Sequence, residues 1–182
     1  MPYVACPVCG LTTYLVRRED CPGCDAPLHA RGFGRPPEDW LADAIIPALS
    51  LARRELEMDA VFVGEMDDEH ETVRWSVANG WPTDLRPGLS WPLRESICRR
   101  LLDGRIDGAV GDVLDEPALH DMPKLRDSGL RAWLGVQVPA ERARLYVLCC
   151  LARERRPALG VGELNVLRGV SATVRAALSS TL

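Results

Sequence analysis

The sequence predicts an α+β fold: a mainly antiparallel sheet with helices packed against one face, preceded by a small cysteine-rich module. Three observations predict it. Two Cys-x-x-Cys pairs stand close together near the N-terminus. From Glu38 onward the apolar periodicity reads helix, two strands, loop, short helix, strand, irregular segment, two strands, long helix. The first strand pair is joined by the polar run Asp67-Asp68-Glu69-His70-Glu71, which reads as a hairpin loop.

The cysteine pairs are Cys6-Pro7-Val8-Cys9-Gly10 and Cys21-Pro22-Gly23-Cys24, with eleven residues between Cys9 and Cys21. Each pair can fold as a knuckle that points two sulfurs at one ion. Four thiolates around Zn²⁺ give a closed tetrahedral site, so the role expected for the metal is structural, at one ion per chain. Iron in a similar four-sulfur site is the alternative. The span between the pairs holds a short hairpin, with 11–16 as strand. His29 could exchange in as a ligand, but four sulfurs already complete the shell. Residues 1–29 hold few large apolar side chains, so metal binding must supply most of their folding energy, roughly 10–16 kcal/mol for structural Zn²⁺ sites. Residues 30–37 are a glycine- and proline-punctuated linker, and 38–182 form the second region.

Pro37-Glu38-Asp39 opens a helix, with acids at its positive dipole end. Leu41, Ile45, Leu49, Ala52 and Leu56 continue it at three- and four-residue spacing, with a kink or break expected at Pro47. Residues 60–66 and 72–78 read as strands, and Asn79-Gly80 as a turn. Residues 81–91 are proline-rich and read as loop. Residues 94–103 read as a short helix with Ile97, Cys98, Leu101 and Leu102 on one face and Gly104 as its stop. Residues 109–113 suggest a short strand and 114–128 an irregular segment. Residues 130–138 and 144–152 are the clearest strands, the second apolar on both faces as in a sheet centre. A last helix over 162–182 carries Leu164, Leu167, Val170, Val174 and Leu178 on one stripe.

Composition narrows the function. The formal charge is −4, which argues against a nucleic-acid or anionic-membrane surface. Residues 1–37 hold four arginines and three acids, and four thiolates on one Zn²⁺ subtract two further charges, so the module offers no basic stripe. No signal peptide is visible, and no apolar run is long enough to span a bilayer, which together point to the cytoplasm. Of the seven cysteines, four sit in the knuckles, and Cys98, Cys149 and Cys150 are an odd remainder without regular spacing. In a reducing compartment the knuckles read as ligands and not as disulfides. Cys149 and Cys150 are strand neighbours that point to opposite faces, so packing is expected of both.

The second region resembles a GAF domain, a small-molecule sensor fold related to PAS. The resemblance is carried by residues 52–63 (first helix into first strand), 96–105 (the short helix), Asp112-Val113, and the closing strands 130–138 and 145–151. The cysteine module is similar to a zinc ribbon over residues 6–24. The resemblance implies a roughly six-stranded sheet with a ligand pocket under the irregular segments, a role in signal transduction, and a homodimer paired through the terminal helices. Trp91, Cys98, Asp112 and Trp133 are the ligand-binding candidates it leaves. Trp75 and Trp81 could line the same pocket, although for all four tryptophans core packing is the simpler reading, and His120 and Asp121 read as solvated. The Asn-Lys…Phe…Asp-Glu signature of cyclic-nucleotide-binding GAF domains is absent. The expected function is a regulatory sensor of a small molecule or of redox state, with the ribbon docking a protein partner and no catalytic residue assigned. The alternatives are a thiol-dependent reductase of the free methionine sulfoxide type using Cys98, and a scaffold without ligand. Against the reductase, residues 112–129 offer no second thiol.

Overall fold

The computed structural model describes residues 41–139 and 144–179 in full, and the backbone of residues 3–5, 12–14 and 37–40. The metal-site expectation for Cys6, Cys9, Cys21 and Cys24, and the exchange with His29, fall outside the described residues. The chain divides into two compact units, residues 1–43 and 44–182. In the first, β1 (Tyr3–Ala5) and β2 (Thr12–Tyr14) pair antiparallel, with Tyr3 opposite Tyr14 and Ala5 opposite Thr12.

Helix α1 runs Pro37–Glu55 as one helix, with no break at Pro47. In the second unit Ile45, Leu49, Ala52 and Leu56 are buried, as their spacing predicts. β3 (Ala60–Met66) and β4 (His70–Ala78) form a hairpin. β5 (Ser90–Pro92) pairs with the start of β4, a 3₁₀ turn follows at Leu93–Glu95, and α2 is Ile97–Leu102. β6 (Ala109–Val110) precedes the irregular segment, which holds a 3₁₀ turn (Pro117–Leu119) and the single turn α3 (Lys124–Asp127). β7 (Ala132–Val138), β8 (Leu145–Ala152) and α4 (Val161–Ser179) complete the unit.

The six strands run in the order β5-β4-β3-β8-β7-β6, antiparallel throughout. Both edges are very short strands, and Pro92 lies on one of them, which limits the edge available for stray pairing. β3 and β8 are central and almost wholly buried. α4 packs against β7 through Leu164, Leu167, Val170 and Val174. Each fully buried aliphatic side chain stabilises the fold by roughly 1.5–3 kcal/mol. The other face carries a second core, with Phe62, Val73, Trp133, Val147 and Cys149 from the sheet. It is roofed by Ile97 and Cys98 of α2 and by Leu119, Met122 and Leu130 of the irregular segment, which acts as a lid.

Several boundaries differ from the sequence reading: the 109–113 strand ends at Val110, the 130–138 strand begins at Ala132, and three further differences lie around the lid-side core. The hairpin loop is shorter, because His70 and Glu71 belong to β4. Asp67 alone makes the turn: its Oδ1 accepts from the backbone N–H groups of Glu69 (2.8 Å) and His70 (2.7 Å). Those two bonds hold its carboxyl below the ordinary range. The predicted 94–103 helix divides into the 3₁₀ turn and α2 at Ser96, whose hydroxyl accepts from the N–H of Arg99 as an N-cap. The 81–91 loop ends in β5.

Candidate functional site

The site is built from a break in the register of one hairpin. Val63 faces Trp75, but its neighbour Gly64 faces Val73, so β4 carries one extra residue, Arg74, as a bulge. Side chains alternate along a strand, so one inserted residue moves everything beyond it to the other face. Without the bulge, Thr72 and Arg74 would point under the lid. With it, Val73 and Glu71 do. Glu71 is fully buried.

Gly64 makes room for that side chain. A Cβ at position 64 would collide with Glu71 Oε1. One carboxylate oxygen is well held: Oε2 accepts a hydrogen bond from Ser96 Oγ and one of 3.0 Å from Trp91 Nε1. The other, Oε1, is buried with no hydrogen-bond partner. Trp91 is fixed in turn by an edge contact with Phe62, ring centres 5.9 Å apart.

Two thiols stand beside this carboxyl. Cys98 is the second residue of α2 and Cys149 lies in the middle of β8, opposite Phe62 and Gly135. Their sulfurs are 2.9 Å apart, and both residues are buried, at 2% and 0% exposure. One donor atom from each of Glu71, Cys98 and Cys149 lies within 4.8 Å of the others. Burial pushes the Cys98 thiol well up, and Cys149 and Glu71 beside it push the same way. Burial raises Cys149 as well. Burial also pushes the Glu71 carboxyl up, against the neighbouring Ser96, Cys98 and Trp91, which pull it down. The closed cluster therefore favours protonated thiols and a carboxyl easier to protonate than usual.

The four ligand-binding candidates divide between this cluster and its surroundings. Trp91 and Cys98 are in it. Trp133 shares the same core, 1% exposed, with its indole laid across Gly135, where a Cβ would collide with the ring. Asp112 is elsewhere, at the base of the lid. Its carboxylate pairs with the Arg131 guanidinium and accepts from the N–H of Leu114 at 3.1 Å, while Val113 N–H donates to Arg131 C=O at 2.8 Å. It thus ties together the two ends of the lid. Two further ion pairs fasten the lid at its rim, Arg100–Asp121 at 2.8 Å and Lys124–Glu95 at 2.5 Å.

Sequence reasoning did not find Glu71 or the partner of Cys98. Glu71 ended a run of charged residues that resembled a loop. The lid, residues 112–129, holds no second thiol; β8 supplies it from 51 residues away. Cys150, the neighbour of Cys149, belongs to the opposite face, in keeping with strand alternation.

No known protein-family pattern matches the sequence, and no curated protein resembles it closely enough to align. Solved structures do resemble it. The blue-light-absorbing form of the Thermosynechococcus elongatus PixJ GAF domain superposes over 81% of this chain and 90% of its own, with a TM-score of 0.63 at 19% identity. The phycocyanobilin-bound GAF domain of a cyanobacterial phytochrome does so over 77% and 85%, with a TM-score of 0.58 at 16% identity. A Geobacter sulfurreducens GAF domain/HD domain protein does so over 77% and 92%, with a TM-score of 0.59 at 17% identity. The second unit has the GAF fold. Within this GAF fold, the core between sheet and lid carries the Glu71–Cys98–Cys149 cluster at one place and Trp133 at another. No helix among the described residues is long and apolar enough to cross a membrane.

Proposed function

We propose that this chain is a cytoplasmic regulatory protein whose GAF-fold unit senses redox state through Cys98 and Cys149. The observation that carries the reading is the 2.9 Å approach of the two sulfurs, one on the roof of the core and one on its floor. A bond between them would pin α2 to β8. The chemistry needs a hydroperoxide as oxidant. One sulfur, as thiolate, attacks the outer peroxide oxygen, the O–O bond breaks, and the other oxygen leaves as water or an alcohol. The second thiol then displaces hydroxide from the resulting sulfenic acid, giving a disulfide and a second molecule of water. Because burial disfavours both thiolates, oxidation waits on opening of the lid, which sets a threshold for the response. Of the two sensing modes expected from sequence, the redox mode is favoured over small-molecule capture because the chain's own Trp133, Leu119 and Met122 occupy the space under the lid.

Output in this reading has two routes. Cys6, Cys9, Cys21 and Cys24 hold a structural zinc ion, and the ribbon they form docks a partner protein. The chain also pairs with a second copy through α1 and α4. Between these helices lies an apolar groove lined by Ala48, Leu51, Val166 and Gly169, with Leu51 and Val166 exposed. A fused disulfide shifts the sheet under these helices, so the two states differ in their affinity for partner or second copy.

The reductase reading gains one point from the structure, since Cys149 stands where a resolving thiol for Cys98 is needed. The two readings separate by experiment. Hydrogen exchange across α1 and α4 is expected to change when the intact chain is treated with hydrogen peroxide, and to stay unchanged in Cys149→Ser. A reductase without sensing would instead turn over methionine sulfoxide with no change in those helices, and that result would overturn the sensor assignment.

A further inference from the structure

Two thiols and a carboxylate that converge in a buried space also make a set of metal ligands. We propose that, in its reduced state, the GAF-fold unit binds one thiophilic divalent cation of the zinc type through Cys98 Sγ, Cys149 Sγ and Glu71 Oε1. The site is separate from the N-terminal four-cysteine module and uses no residue of it. It shares its thiols with the redox reading but does not depend on it.

Two independent features point to a cation. The first is the donor set, within 4.8 Å and contributed by β4, α2 and β8, three elements far apart in sequence. The second is the asymmetry of Glu71. Ser96 and Trp91 both donate to Oε2, and Oε1 is left buried without a partner above the Gly64 hollow. A tryptophan N–H can only donate, so the pair of donors suits an ionised carboxylate. Outer hydrogen bonds that hold one oxygen and present the other are the usual support of a ligating carboxylate. An unpartnered carboxylate oxygen in an apolar core is otherwise costly. A cation at Oε1 removes that cost, and it also stabilises the two thiolates that burial disfavours.

The chemistry selects the ion. Two soft thiolates favour zinc-type cations over magnesium or calcium, which prefer all-oxygen shells. Thiolates about 2.3 Å from a shared tetrahedral ion stand ~3.8 Å apart. The sulfurs, now at 2.9 Å, would have to part by about 0.9 Å, which small χ1 rotations can supply. Three protein donors leave a fourth position for water or a small anion. Binding releases the two thiol protons, so affinity rises with pH.

The test is metal content of the intact chain, reduced and loaded with Co²⁺, whose thiolate charge-transfer absorption reports sulfur ligation. The expected result is that the Cys98→Ser/Cys149→Ser double variant binds one Co²⁺ equivalent fewer per chain than the unsubstituted protein. Ser96→Ala leaves all three donors and is expected to weaken that equivalent by ~10–100-fold, the usual effect of losing an outer-shell partner. This second variant covers the case in which the double variant does not fold. Equal Co²⁺ content and affinity in the unsubstituted chain and Ser96→Ala would overturn the proposal, as would equal content in a folded double variant. Failure of the redox reading would look different: the metal difference would persist, but peroxide would produce no Cys98–Cys149 bond.

Discussion

Asp112 shows how one residue can lie near a functional site and serve it only at a distance. Its carboxylate is held below the ordinary aspartate value of 3.8, first by the hydrogen bond from Arg131 and then by the Leu114 N–H. A depressed carboxyl pKa means that the paired form stabilises the fold above the ordinary value and is lost as pH falls through the depressed one. Lid protection against hydrogen exchange over 113–130 should therefore hold from neutral pH down to about 4 and fall only in stronger acid. Asp112→Asn should lower the protection factors at neutral pH and match the unsubstituted protein in strong acid, where the pair is lost from both; equal protection in both proteins at neutral pH would show that the ion pair does not tie the lid. Trp133 acts by volume. Its indole fills the core over Gly135, so Trp133→Ala should cost about 3–5 kcal/mol in chemical denaturation. Asp112 and Trp133 could both be picked out from sequence as candidates. Their different situations could not, because the Arg131 pairing and the Gly135 hollow are properties of the folded chain.

Among the elements, the β3–β4 hairpin decides where the chemistry lies. Its bulge at Arg74 turns Glu71 inward, and Gly64 across from it supplies the space. Gly64→Ala is predicted to destabilise by about 1–3 kcal/mol, the cost of overpacking a filled core. The same substitution at Gly162 of α4, where a Cβ meets nothing, should be neutral or stabilise by up to about 1 kcal/mol. Opposite signs for one chemical change would place the effect in the contact with Glu71 and not in glycine itself. The helices and the paired strands were legible in the sequence because each announces itself by local periodicity: Ile45, Leu49, Ala52 and Leu56 on α1, and the continuous apolar run of β8. The bulge was not. Val73, Trp75 and Val77 read as one alternating set, and nothing in their composition reveals the extra residue that divides them between two faces. Nor could periodicity show that Cys98 and Cys149 meet, since that contact depends on how α2 folds over β8.

For the whole molecule, the proposed redox switch would act through an outward face formed by α1 and α4. Leu51 and Val166 are 45% and 43% exposed on that face, and their burial against a second copy is part of the proposed output. Leu51→Glu with Val166→Glu should give a monomer by sedimentation velocity, with monomer stability changed by no more than about 0.5 kcal/mol, as for other surface substitutions. An unaltered sedimentation coefficient would remove these helices from the signalling route. The proposed function rests on Cys98 and Cys149 reacting as a pair. Differential alkylation of the native chain, followed by peptide mass spectrometry before and after hydrogen peroxide, tests it most directly. Peroxide is expected to yield a peptide pair linked through Cys98 and Cys149, two hydrogens lighter than the sum of its parts, reversed by a dithiol reductant, with Cys150 left free. Both thiols remaining alkylatable after unfolding of the peroxide-treated protein, or oxidised singly to sulfinic acid, would contradict it.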